Sequence, residues 1–254
     1  MGVQFQAPLL TPVHLGLYYQ RVKARFPTAE VQPPIQPVFE TFGSGPMPFQ
    51  FPLGGFTPFQ PRMWFRSADD ASLIQLQSGK LFFNWRSGLQ QNAYPHFDAV
   101  KTEFMKAFDE LEALVTSEGL GEVAINQCEL VYVNPLPVSV TGVPLSEPQR
   151  IFRVWSDACG EEWREPLEDI NFNIRYRFND TDGNPFGRLT AALSTVWAQD
   201  GSQAFHLEMT ARGQPIGSGR AGITAFHVHA HQAIVRCFAA ITTPEMHERW
   251  ERYQ

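Results

Sequence analysis

Apolar and polar residues alternate most strictly from Ile170 to Phe178. Ile170, Phe172, Ile174, Tyr176 and Phe178 fall on one side of an extended chain, and Asn171, Asn173, Arg175 and Arg177 fall on the other. A period of two predicts a strand with one buried face. The same period returns in RLTAALSTVW (188–197) and QAFHLEMTAR (203–212), and NDTDGNPFG (179–187) supplies a turn pivoting on Asp182-Gly183. Together they predict a three-strand meander. Residues 62–86 predict a second hairpin or meander, with Ser78-Gly79 at a turn, and INQCELVYV (125–133) predicts a further strand.

Helical spacing appears in three places. In 13–26, Leu15, Tyr18, Tyr19, Val22 and Phe26 share a face, and Pro27 stops the run. In 94–115, Phe97, Val100, Phe104, Phe108, Leu111 and Val115 form one stripe, and Pro95 suits the first turn. A long helix over 224–241 ends the fold, with HERW (247–250) as a last turn. Two blocks of antiparallel strands, each followed by a helix, suggest a duplicated plan. The predicted class is α+β, with antiparallel sheet covered on one face by helices. Residues 1–254 then make a single compact domain, with halves 1–134 and 150–254 joined by a Pro-rich loop.

Two segments interrupt this order. PPIQPVFETF (33–42) carries prolines that suit a sheet edge better than a centre. The Gly/Pro/Phe-rich stretch 43–61 cannot form regular structure. Its Phe49, Phe51, Phe56 and Phe59 make it either a lid packed on the core or a partner-binding loop.

Composition narrows the function classes. Hydrophobic residues make up 43% and charged residues 18%, which excludes a disordered chain and a coiled coil. A net charge of −6 disfavours broad binding to nucleic acid, which needs a basic surface. The three cysteines, Cys128, Cys159 and Cys237, form no CxxC pair, so a Cys-rich zinc site and a disulfide framework are not expected. No signal-peptide pattern opens the chain and no apolar run reaches membrane-spanning length, so a cytoplasmic location is expected.

Several segments together resemble a sporadically distributed family of bacterial proteins close to this chain in length. They are PPIQPVFETF, LIQLQSGKLFFNWR followed by YPHF, and the ending HAHQAIVRCFAAITTPEMHERW. The resemblance implies a bacterial or phage origin and one compact unit. It brings no activity, cofactor or catalytic residue. His231, Phe238, Thr242 and Trp250 can be placed on its closing motif, without a role.

The densest cluster of polar chemistry is His227, His229 and His231. A strand would put all three on one face, but the apolar residues Phe226, Ala230, Ile234 and Phe238 repeat with a helical period. That phasing sets His227 and His231 one turn apart at the rim of a buried face and turns His229 toward solvent. Two imidazoles at i and i+4 can begin a metal site, but it needs further ligands, and no HExxH pattern supplies them. His206 and His247 are the remaining candidates.

GSGRAG (217–222) matches GxGxxG formally, yet no returning strand follows the helix, so a dinucleotide fold is rejected. Cys159 has acidic neighbours that oppose thiolate formation. Asp180 and Asp182 lack the distal glutamate of a calcium loop and fit a turn. The outward row Asn171, Asn173, Arg175 and Arg177 is the best ligand candidate, because guanidinium groups pair bidentately with oxyanions. Its plainer alternative is a solvated face paired with acids such as Glu208.

The expectation is therefore a non-enzymatic binding or regulatory protein, without a cofactor, that takes a protein partner or small ligand. Homo-oligomerisation stays open. One alternative is a metal-dependent hydrolase or nuclease using His227 and His231. The other is a nucleotide or nucleic-acid binder acting through Arg175 and Arg177.

Overall fold

The computed structural model describes residues 1–42, 61–87, 93–155, 167–197 and 200–250. The aromatic stretch centred on Phe49–Phe59 lies outside the described residues, as does Cys159. Fourteen elements follow in chain order: β1 (Gly2–Ala7), α1 (Pro12–Val22), β2 (Thr28–Gln32), β3 (Arg62–Arg66), β4 (Ser72–Gln77), β5 (Lys80–Trp85), α2 (Phe97–Ser117), β6 (Ala124–Pro137), α3 (Val138–Thr141), β7 (Asn171–Asn179), β8 (Pro185–Trp197), β9 (Gln203–Gly213), α4 (Gly219–Ile241) and α5 (Pro244–Arg249). The strands are antiparallel and the class is α+β. No helix among the described residues is long and apolar enough to cross a membrane.

The chain divides into two units, each assembled from two separate stretches. Unit 1 is Met1–Glu129 with Gly213–His227, and unit 2 is Leu130–Arg212 with Val228–Gln254. Both β6 and α4 contribute one part to each.

In unit 1 the strands hydrogen-bond in the order β2-β3-β4-β5-β1-β6. The 62–86 meander forms as its alternation predicts: Ile74 pairs with Phe65 and Phe83 across the two ladders, and all three are buried. Strand β1 has no counterpart in the sequence reading. It lies between β5 and β6, with Val3 opposite both Leu81 and Cys128, so every residue from Met1 to Phe5 is buried. Helices α1 and α2 bury the stripes that their spacing predicts. Tyr18 stacks on Phe65 and its hydroxyl donates to Ala107 O at 2.8 Å, which satisfies a phenol deep in the core. Pro95 falls outside α2; His96 is its N-cap, at φ +67°. The segment 33–42 joins no ladder. Side chains hold it instead: Gln77 exchanges two hydrogen bonds with the Ile35 backbone, and Val38 N–H donates to Gln4 Oε1.

In unit 2 the order is β6-β9-β8-β7. Leu189, Ala191 and Leu193 on β8, and Phe205, Leu207, Met209 and Ala211 on β9, are buried at alternate positions, as the period of two requires. Phe152 meets Phe205 edge-on at 5.6 Å, and a β-bridge joins Phe152 to Thr242.

Candidate ligand sites

Helix α4 begins at Gly219, earlier than its apolar periodicity indicates, so the GSGRAG glycines belong to its start. Their role is steric. Gly217 holds φ +96°, and a Cβ on Gly222 would stand 2.4 Å from Gly217 O. Ile216 N–H donates to Gly222 O across the same turn. Side chains are excluded here to let the chain enter the helix closely, which agrees with rejecting a dinucleotide fold.

The three histidines occupy three different surroundings. His227, in unit 1, is fully buried rather than at a rim. Its Nε2 lies 3.3 Å from Gly2 O and 3.3 Å from Glu129 O. Carbonyl oxygens only accept, so Nε2 carries the proton and donates to both. Nδ1 is buried without a partner, and the ring packs edge-on against Phe104 at 5.1 Å. Burial, reinforced by the Met1 α-amino group, holds its pKa down at about 3.

His229, in unit 2, is not turned to solvent. It packs edge-on against Phe178 at 4.8 Å and Phe186 at 5.5 Å, and its Nε2 is buried. Burial first and the Arg236 charge second lower its pKa. Helical phasing alone turns it to solvent, because phasing carries no information on Phe178 and Phe186, which cover it. His231, half-buried, shares a 2.8 Å hydrogen bond between Nδ1 and the Tyr132 hydroxyl. His247 Nε2 is 2.7 Å from Thr242 Oγ1. Among the described residues no group of three His, Cys, Asp or Glu side chains could hold a metal ion.

Neither described thiol is disulfide-bonded. Burial pushes the Cys128 thiol up to about 12, opposing a nucleophilic role. The Asp180 carboxylate accepts from the backbone N–H groups of Asp182 and Asn184, closing the predicted turn.

The Asn/Arg row lies where its alternation places it. Asn171, Asn173, Arg175 and Arg177 are all exposed on β7, the last strand of the unit 2 order. Across the β7–β8 ladder Arg175 faces Thr190 and Arg177 faces Arg188, adding a third guanidinium to this face. Glu208, the acid suggested as a partner, accepts from the Thr210 hydroxyl at 3.1 Å. Among the described residues Arg175 and Arg177 have no hydrogen-bond or ion-pair partner. Residues at i and i+2 on a strand are about 7 Å apart, so the two guanidiniums can address two oxyanion groups of one ligand.

Sequence reading passed over a second polar group, in unit 1. Gln4 on β1, and Ser78 and Lys80 at the β4–β5 turn, are all buried along the wall of one cavity. No local signal marks it: the alternation that turns Leu81 and Phe83 inward puts Lys80 on the other face of β5, where lysine is ordinarily exposed, and the 33–42 segment meets it there.

Comparison with family models, with curated proteins and with solved structures finds no match to this chain.

Proposed function

We propose that this chain is a binding protein, without catalytic activity of its own, that takes a ligand carrying two oxyanion groups on the polar face of β7 and β8. The observation that carries the reading is the pair Arg175 and Arg177: two exposed guanidiniums on one strand face, without a partner among the described residues. Helices covering the opposite face would leave this one for the ligand. Arginine suits the role because its planar fork meets phosphate or carboxylate oxygens two at a time. Asn171 and Asn173 extend the row with neutral donors and acceptors. The net charge of −6 favours a compact ligand over a long polyanion. An accessory or regulatory place in a bacterium or phage accords with the sporadic family that the sequence resembles.

Histidine-centred metal hydrolysis is the weaker reading, since both known hydrogen-bond acceptors of His227 Nε2 are backbone carbonyls and its Nδ1 is enclosed.

Calorimetric titration with inorganic pyrophosphate tests the proposal. Wild type binds it more tightly than orthophosphate, and Arg175→Ala/Arg177→Ala loses about 100-fold or more in affinity, since each of the two charge-assisted pairs contributes about 1.5–3 kcal/mol. Both positions are exposed, so the unfolding free energy of the variant stays within about 0.5 kcal/mol of wild type. Equal binding by wild type and variant refutes the reading.

A further inference from the structure

The 33–42 segment is held off the sheet of unit 1 by side chains, and this separation leaves a cavity of about 430 Å³. That volume lies within the range of small-molecule pockets, about 300–1,000 Å³. Its wall is polar in a way that cores avoid. Lys80 is 5% exposed, Ser78 6% and Gln4 7%. Lys80 Nζ donates to Gln36 O at 2.6 Å. Gln4 accepts from Val38 N–H, and its Nε2 donates to Asn126 Oδ1. The Ser78 hydroxyl is buried and has no hydrogen-bond partner. Lysine is ordinarily exposed, so a buried ammonium at the wall of an open cavity is itself unusual.

Other lining residues have the opposite character. Leu9, Ile35 and Phe39 are large apolar side chains that line the same cavity yet remain exposed to solvent. Apolar surface left open beside a buried cation is complementary to one kind of molecule.

We propose that this cavity binds a small amphipathic anion, its carboxylate set against Lys80 and its apolar body against Leu9, Ile35 and Phe39. The site is independent of Arg175 and Arg177 and shares no residue with them. Gln4 and Gln77 serve as positioning residues: their amides hold the Val38 and Ile35 backbones and so keep the cavity open.

Octanoate is the probe and octan-1-ol its uncharged counterpart, both followed by NMR titration of the full chain. Octanoate binds and shifts the backbone amides of residues 77–80, whereas octanol binds about 10-fold more weakly or not at all. Lys80→Met lowers octanoate affinity about 10-fold and leaves octanol affinity unchanged. Should Lys80→Met fail to fold, the exposed Phe39→Asp gives the second reading. A negative charge among the apolar lining weakens octanoate more than octanol. Equal binding of octanoate and octanol to wild type, no shift at 77–80, or unchanged octanoate affinity in folded Lys80→Met or Phe39→Asp overturns the proposal.

Discussion

The histidines of α4 and the Asn/Arg row of β7 are both regular polar patterns on regular elements, yet their polar atoms meet opposite surroundings. On α4, His227 donates a hydrogen bond to two backbone carbonyls, His229 packs edge-on against two phenylalanines, and His231 is hydrogen-bonded to a tyrosine hydroxyl. On β7, Arg175 and Arg177 extend into solvent, with no partner among the described residues. Density of functional groups therefore does not identify a binding site. What separates the two regions is whether the fold has already satisfied those groups, because a satisfied polar atom has little left to offer a ligand.

The comparison can be broken most forcefully at His227. His227→Ala removes a fully buried ring and leaves both carbonyls without their side-chain donor, lowering the unfolding free energy by about 3 kcal/mol in urea denaturation. A change below about 0.5 kcal/mol, the range of an ordinary surface site, would place His227 with the arginines instead.

A smaller effect comes from protons. The unfolded chain titrates this imidazole near 6.5, and the folded chain only near 3. Between those values the unfolded state binds more protons, so stability falls as pH drops through the window, by at most about 1.4 kcal/mol per pH unit. Above 6.5 the residue imposes no dependence, and below 3 the loss is complete. Unfolding free energies at pH 7 and pH 5 therefore diverge more for wild type than for His227→Gln. Identical differences in the two proteins would show that the imidazole is not held neutral.

The smallest effect belongs to His231. Tyr132→Phe deletes one half-buried hydrogen bond and costs about 1 kcal/mol by the same denaturation measurement. A cost matching that of His227→Ala would mean that the two histidines carry equal structural weight.

How much of this was legible depended on what the pattern encodes. Strands β7, β8 and β9 were readable nearly to the residue in extent, and period-two alternation reported the buried face of β8 and β9. On β7, the last strand of its order, Phe172 and Ile174 are only half-buried and Tyr176, read as inward, is exposed. The stripes of α1 and α2 were readable for the same reason. Strand β1 was not, because its burial comes from lying between β5 and β6, and Gln4 is as buried as its apolar neighbours. Phasing of α4 put His227 at a rim and His229 toward solvent, and so underestimated the burial of both. Those burials are made by Phe104 in one unit and by Phe178 and Phe186 in the other, far away in sequence. The cavity at Lys80 was hidden for a related reason: amide side chains, rather than a periodic pattern, hold the proline-rich segment over it.

The arginine side chains themselves can report on the central claim. In ¹⁵N-edited NMR of the Arg Nε–H groups, the account predicts that pyrophosphate shifts the Arg175 and Arg177 resonances together, in one saturating transition, and leaves those of the ion-paired Arg66 and Arg150 in place. Saturable pyrophosphate binding that leaves Arg175 and Arg177 unmoved would contradict it.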